Sequence, residues 1–184
     1  MKGMIFCEFL EMAEEAFGIV VVDEMLETTE LPSGGIYTAV GTYDHQELIA
    51  MVIRLSQITE IPLPDLLQTY GQNLFGKLME TLPQIIPKNQ DCFQFIKAID
   101  SYIHVEVEKL YPDAELPRLR CDEVGHDKLL LHYSSCRPFA KVAEGLLLGC
   151  ADHFNNAFTL SVVDSEQASD HEISFQLLRT RLPA

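Results

Sequence analysis

Basic residues are scarce in this chain, since 13 Lys and Arg stand against 28 Asp and Glu among its 184 residues. The formal net charge of −15 repels phosphate groups, so the composition argues against binding to nucleic acid or to an anionic membrane surface. No apolar run reaches the length of a transmembrane helix, and the N-terminus lacks the pattern of a signal peptide. We therefore expect a cytoplasmic protein without membrane insertion, built as a single domain over residues 1–184.

Closely spaced cysteines are also missing. The five cysteines are Cys7, Cys92, Cys121, Cys136 and Cys150. Their odd number and wide spacing argue against a disulfide framework and against a zinc finger, which favours a reducing compartment.

The local motifs of common enzymes are absent as well. The chain has no Gly-x-Ser-x-Gly, no P-loop and no His-Glu-x-x-His. His104 with Glu106, or Cys136 beside Arg137, could still supply acid–base or nucleophilic groups, so a small cytoplasmic enzyme remains an alternative. A cofactor-free ligand-binding or interaction module is another alternative. The sequence favours a protein that is not an enzyme.

The apolar pattern changes character near Pro112. Helical spacing predicts helices over 6–17, 19–28, 44–59, 63–82 and 92–110. After Pro112, extended segments predict strands over 117–124, 128–135, 157–163 and 172–178, with a helix over 138–154 and an acidic turn over 164–170. The fold class is therefore α+β, with a helical N-terminal part followed by a four-stranded antiparallel sheet that contains one inserted helix.

Two segments carry candidate binding residues. His104 lies beside the apolar stripe of the helix predicted over 92–110, where a neutral imidazole could coordinate a metal or could simply be a hydrogen-bonded histidine at the core boundary. At the end of the strand over 128–135, Tyr133, Ser135 and Arg137 project to one side. A phenol, a hydroxyl and a guanidinium suit a ligand that carries carboxylates, although a solvated strand end is the alternative.

These residues together resemble a known family. The start Met-Lys-Gly-Met-Ile-Phe, the segments 102–105 and 109–111, Pro117 and the Tyr-x-Ser-x-Arg pattern over 133–137 are similar to the bacterial H-NOX family of haem–nitric oxide/oxygen binding domains. That family is similar to the haem sensor domain of soluble guanylate cyclase. The resemblance covers nearly the whole chain, and it implies a haem buried between the helical part and the sheet.

The resemblance also implies a role for each matching residue. His104 would be the proximal ligand of the haem iron. The haem propionates would be bound by Tyr133, Ser135 and Arg137, while Pro117 and Ile5 would pack against the haem and distort it. Because the chain lacks Cys-x-x-Cys-His, the cofactor would be a non-covalent haem b. A zinc site found in some members would be absent here, since no cysteine follows Cys150.

The distal pocket should decide which gas binds. Family members that hold oxygen stably use a distal tyrosine five positions after the motif arginine, and that position is Val142 here. The other expected distal residues, Phe9, Leu74 and Leu146, are also apolar. Bound oxygen carries partial negative charge and needs a hydrogen-bond donor, whereas nitric oxide needs little help. We therefore expect a nitric oxide sensor that also binds CO and excludes oxygen.

An isolated sensor needs a partner for its output. The resemblance implies that nitric oxide bound opposite His104 weakens the iron–histidine bond and frees the helix that carries this residue. Bacterial relatives commonly regulate a histidine kinase of a two-component system, or a diguanylate cyclase or phosphodiesterase of cyclic-di-GMP signalling, in trans. The acidic surface favours a partner with a basic patch.

Overall fold

Helices make up the first part of the chain, as the apolar spacing predicts. The structure is a computed structural model that describes residues 1–81, 91–155, 157–163 and 169–180. Position 82 of the helix predicted over 63–82 and positions 164–168 of the predicted acidic turn lie outside the described residues. The helices of the first part are α1 (Gly3–Phe17), α2 (Ile19–Glu27), α3 (His45–Thr59), α4 (Leu63–Thr81), α5 (Cys92–Ala98) and α6 (His104–Leu110).

Local signals set several helix ends. Gly18, at φ 84°, ends α1 in a conformation that glycine adopts without steric cost. The Asp44 side chain accepts a hydrogen bond from the Gln46 N–H and so caps the start of α3. Asp91 and Gln94 form a reciprocal capping box at the start of α5.

The helix predicted over 92–110 is interrupted, so the expectation of one regular α-helix is wrong. A π-helical turn, Ile99–Ile103, separates α5 from α6, and the N–H of His104 bonds to the Ile99 carbonyl five residues earlier. The wider turn shifts every later side chain around the helix axis relative to a 3.6-residue period. As a result Leu110, an apolar residue at the end of α6, is 58% exposed.

The second part is an antiparallel sheet with a helix inserted. Within the described ranges it comprises β1 (Arg118–Glu123), β2 (Lys128–Ser134), α7 (Ala140–His153), β3 (Phe158–Val163) and β4 (Glu172–Arg179). The strands are ordered β1-β2-β4-β3, and Leu131 of β2 pairs with Cys121 of β1 and Phe175 of β4. Alternate β2 residues, Leu129, Leu131 and Tyr133, are buried as a period of two requires. The predicted α+β class is confirmed.

Helices α4 and α7 join the two parts at very short range. A Cβ added to Gly71 would lie 2.2 Å from the Val142 carbonyl oxygen, and one added to Gly145 would lie 2.0 Å from the Gln68 carbonyl oxygen. Glycine is therefore required where these two backbones meet. Gly76 has no such neighbour within 4 Å. Among the described helices, none is both long enough and apolar enough to cross a membrane.

Candidate functional site

A cavity of about 330 Å³ lies where the helical part meets the sheet. Its wall takes residues from α1, α4, the π-helical turn, α6, the segment 114–117, the first two strands and α7. Most of these side chains are apolar, and a few polar ones converge on it, which is the usual character of a cofactor pocket. The site is thus assembled from elements distant in sequence.

His104 lines this cavity at the start of α6. Its side chain is 16% exposed, and its Nδ1 is buried and has no aligned hydrogen-bond partner in the described part of the chain. The nearest anionic atom is Oδ1 of Asp100, 3.5 Å from Nδ1. Burial lowers the pKa of His104, and Asp100 opposes that effect only in part. The imidazole is therefore held neutral, the form that can bind a metal.

The polar trio at the end of β2 is brought together at the cavity wall. Tyr133, Ser135 and Arg137 all line the cavity, and Arg137 is buried, with 7% of its surface exposed. Burial raises the pKa of Tyr133, so its phenol stays protonated and can donate a hydrogen bond. The Ser135 Oγ accepts from the Arg137 backbone N–H at 3.1 Å, which fixes the turn after the strand. The trio offers hydrogen-bond donors and a positive charge to an anionic ligand.

Arg137 already has one carboxylate partner, which no sequence pattern predicts. Its Nη1 donates to the Glu115 carbonyl oxygen at 2.6 Å, and its Nη2 is paired with the Glu115 carboxylate. Glu115 also lines the cavity, although its side chain is 71% exposed. No spacing in the sequence links an acidic residue of this loop to an arginine 22 positions later, so only the fold reveals the pair.

Most of the remaining predicted residues also line the cavity. Ile5 from α1, Pro117 from the loop before β1, Leu74 from α4 and both Val142 and Leu146 from α7 are part of its wall. These residues, which the family resemblance predicts for the haem site, therefore converge on one cavity although they lie far apart in the sequence.

Phe9 differs from the expectation, because it does not line the cavity. It is fully buried and packs edge-on against Tyr70, with ring centroids 5.5 Å apart. Tyr70 lines the cavity instead, and its hydroxyl donates to the Ile5 carbonyl oxygen at 2.6 Å. The signal for Tyr70 was its position one turn before Leu74 on the same helix, with Leu66 one turn earlier.

Known proteins share the sequence pattern and the fold of this chain. Residues 2–162 match the model of a family described as Haem-NO-binding, HNOB. The chain belongs to this haem-NO-binding family. Among solved structures, the Fe(II) unliganded H-NOX protein of K. algicida is 33% identical, with a TM-score of 0.89 over 99% of this chain and 98% of that one.

Two further relatives extend the comparison. The H-NOX protein of Shewanella woodyi, solved with IWP-051 bound in the Fe(II)CO ligation state, is 46% identical, with a TM-score of 0.83 over 98% of this chain and 95% of that chain. The curated soluble guanylate cyclase gcy-35 of Caenorhabditis elegans is 25% identical over 144 residues, 74% of this chain. The match covers only 20% of that cyclase, so this chain corresponds to a small part of it.

The protein is therefore an H-NOX domain, a haem-binding sensor domain rather than a catalytic one. The residues at the cavity fit a haem on their own chemistry. They supply a buried neutral imidazole, apolar walls and a buried guanidinium at the edge. The described residues contain no cluster of three or more His, Cys, Asp and Glu side chains that could hold a metal ion.

Proposed function

We propose that this H-NOX domain is a nitric oxide sensor that holds a non-covalent haem b with His104 as the proximal iron ligand. It binds nitric oxide, and also CO, and it regulates a partner signalling protein in trans in the cytoplasm. The observation that carries the proposal is the convergence of His104, the Tyr133–Arg137 trio and an apolar wall on one cavity.

Arg137 supports the assignment of the propionates to the Tyr133–Arg137 trio. A buried cation costs free energy unless carboxylates and hydrogen bonds compensate it. Glu115 provides one carboxylate from the more exposed side, and a propionate of a bound haem would provide another. Tyr133 and Ser135 lie on the same wall and would add neutral hydrogen bonds to such a carboxylate.

The proximal side supports a sensing mechanism. His104 would hold the iron of a bound haem, and the haem would supply the capacity to bind a diatomic gas, which would weaken the bond between iron and imidazole. The chain contributes a ligand on α6, directly after a π-helical turn, so release of His104 changes the restraint on that helix. Ile5 and Pro117 line the cavity from two other elements, where they would contact a bound haem.

The wall formed by Leu74, Val142 and Leu146 supports exclusion of oxygen. All three side chains are apolar and cannot donate a hydrogen bond to a bound gas. The hydroxyl of Tyr70 is committed to the Ile5 carbonyl, and burial raises its pKa well above the ordinary value. A relative from S. oneidensis, 30% identical over 98% of this chain, was solved in the Fe(II)NO ligation state.

The output requires a second protein. We assign the partner to a histidine kinase or to a cyclic-di-GMP synthase or phosphodiesterase, because such enzymes commonly accompany bacterial H-NOX domains. A net charge of −15 speeds association with a basic surface and slows it with an acidic one.

Spectroscopy of the reduced protein tests the proposal. The purified chain should take up haemin, show a Soret band and shift that band when nitric oxide is added. His104→Gly should lose the native spectrum and recover it with free imidazole, while His126→Gly, on an exposed turn, should keep the parent spectrum throughout. A chain that stays colourless with haemin, or a His104→Gly variant that behaves as the parent without imidazole, would contradict the proposal.

A further inference from the structure

The Nδ1 atom of the His104 ring faces the carboxylate of Asp100, which lies four residues earlier in the chain. Nδ1 lies 3.5 Å from Oδ1 of Asp100, at the upper limit for a hydrogen bond, and it has no other partner among the described residues. The His104 side chain is largely buried, whereas that of Asp100 is 45% exposed. A buried N–H of this kind costs free energy unless an acceptor is provided.

The π-helical turn puts the Asp100 side chain, rather than a backbone carbonyl, beside Nδ1 of His104. Asp100 lies inside the turn Ile99–Ile103, in which the His104 N–H reaches back to the carbonyl of Ile99. Single π turns within helices are rare and concentrate at functional sites. Here the turn places a carboxylate, four residues back, beside the histidine ring.

The same carboxylate oxygen also holds the edge of the sheet. Oδ1 of Asp100 accepts a hydrogen bond from the Leu119 backbone N–H at 3.1 Å. Leu119 is in β1, an edge strand that pairs with β2 alone in the described sheet, and it follows Pro117 of the cavity wall by two residues. Asp100 thus connects the histidine helix to the strand that begins at the cavity.

We propose that Asp100 is the positioning residue of the iron ligand and the link from that ligand to the edge strand β1. Its carboxylate accepts a hydrogen bond from the Nδ1–H group, which would leave Nε2 for iron and make the imidazole a stronger ligand. Because one oxygen serves both contacts, displacement of His104 is transmitted to the Leu119 amide. This inference rests on the proposed haem function and adds to it a determinant of the strength of the iron–histidine bond.

The test compares Asp100→Asn with Glu108→Gln in the reduced haem-loaded protein. Glu108 is an exposed carboxylate one turn after His104, so the control removes the same charge from the same helix. Resonance Raman should show a lower iron–histidine stretching frequency in Asp100→Asn only. That variant should also lose haem to an acceptor protein about 10-fold more readily, which is the lower end of what loss of a hydrogen bond to a metal-binding histidine costs in metal affinity.

Amide hydrogen exchange provides a readout that does not depend on the iron. Leu119 should exchange faster in Asp100→Ala, which has no acceptor, and at the parent rate in Asp100→Asn, which keeps a carbonyl oxygen. An unchanged stretching frequency in a haem-loaded Asp100→Asn would overturn the role of Asp100 while leaving the sensor proposal intact. Unchanged Leu119 exchange in Asp100→Ala would overturn the link to β1, and a parent that binds no haem would overturn both proposals.

Discussion

Val142 occupies the position on which gas selectivity should depend. Its side chain is 8% exposed and lines the cavity from α7, one turn before Leu146. An isopropyl group cannot donate a hydrogen bond to a bound gas. Val142 therefore packs in the core and also disfavours gases, such as oxygen, that need a hydrogen-bond donor to bind stably.

Val142→Tyr should therefore raise oxygen affinity. The added hydroxyl would donate to bound oxygen, a gain of about 1–3 kcal/mol, which corresponds to a several-fold to hundred-fold tighter equilibrium. Val142→Phe adds the same ring without the hydroxyl and should leave oxygen binding undetected. The measurement is an oxygen titration of the reduced protein followed at the Soret band, and equal behaviour of the two variants would contradict the assigned wall.

Asp91 links helix capping to acid stability. Burial alone would raise its pKa, but hydrogen bonds from the Gln94 N–H and from Arg179 outweigh burial and lower the pKa below the ordinary value. The folded state therefore binds this proton less readily than the unfolded state. The stabilisation is fully present above the ordinary pKa of the carboxyl and is lost as the pH falls through the lower folded-state pKa.

Asp91→Ala should lower the free energy of unfolding by about 1 kcal/mol near neutral pH, because the start of α5 loses its cap. The difference from the parent should shrink as acid protonates Asp91 in the parent. Asp91→Asn keeps a capping side chain that does not titrate, so it should retain stability with a flatter acid profile. Urea unfolding at several pH values measures this, and a parent–alanine difference independent of pH would refute it.

At the level of single residues, the sequence predicted what regular spacing encodes. Tyr133, Ser135 and Arg137 are spaced two residues apart from the end of β2 onward, so their shared side of the chain could be inferred. Glu115 and Asp100 escaped because their partners are fixed by tertiary approach, over 22 residues in one case and through an irregular turn in the other.

At the level of elements, the helices and strands were predictable because apolar periods of 3.6 and 2 hold through most of them. The π-helical turn was not predictable, since the apolar residues on both sides still match a continuous helix. One additional residue in a turn leaves no mark in composition and becomes visible only in the hydrogen-bond pattern.

The close approach of α4 and α7 yields an element-scale prediction. Gly145→Ala should destabilise the protein by about 1–3 kcal/mol, because its Cβ would overlap the Gln68 carbonyl and the helices must separate. Gly76→Ala, in open space on α4, should instead stabilise it by about 0.5–1 kcal/mol through helix propensity. Urea midpoints at unchanged slope report both effects, and a shift of the same sign in the two variants would show that packing is not the cause.

At the level of the whole molecule, the excess of 15 negative charges should make stability depend on salt. Screening weakens repulsion among the carboxylates, so raising the ionic strength from about 0.01 M to 0.15 M, which shortens the Debye length from about 30 Å to 8 Å, should raise Tm at neutral pH. Thermal unfolding should show a smaller salt effect near pH 4.6, the isoelectric point. A Tm insensitive to salt at neutral pH would indicate that local ion pairs dominate.

The hydrophobic interior has two separate clusters that meet at the cavity. One is built mainly on α1 to α4 and includes Leu74, the other on the sheet and α5 and includes Leu131, and Leu146 packs against both. A haem bound between the two clusters would contact both and couple their unfolding. The haem-free protein should therefore unfold in two calorimetric transitions and the haem-loaded protein in one. A preparation only partly loaded with haem would then contain two populations that lose their folded state at different rates. The ratio of Soret to protein absorbance would give the proportion of the two and so predict how stable the preparation is in storage.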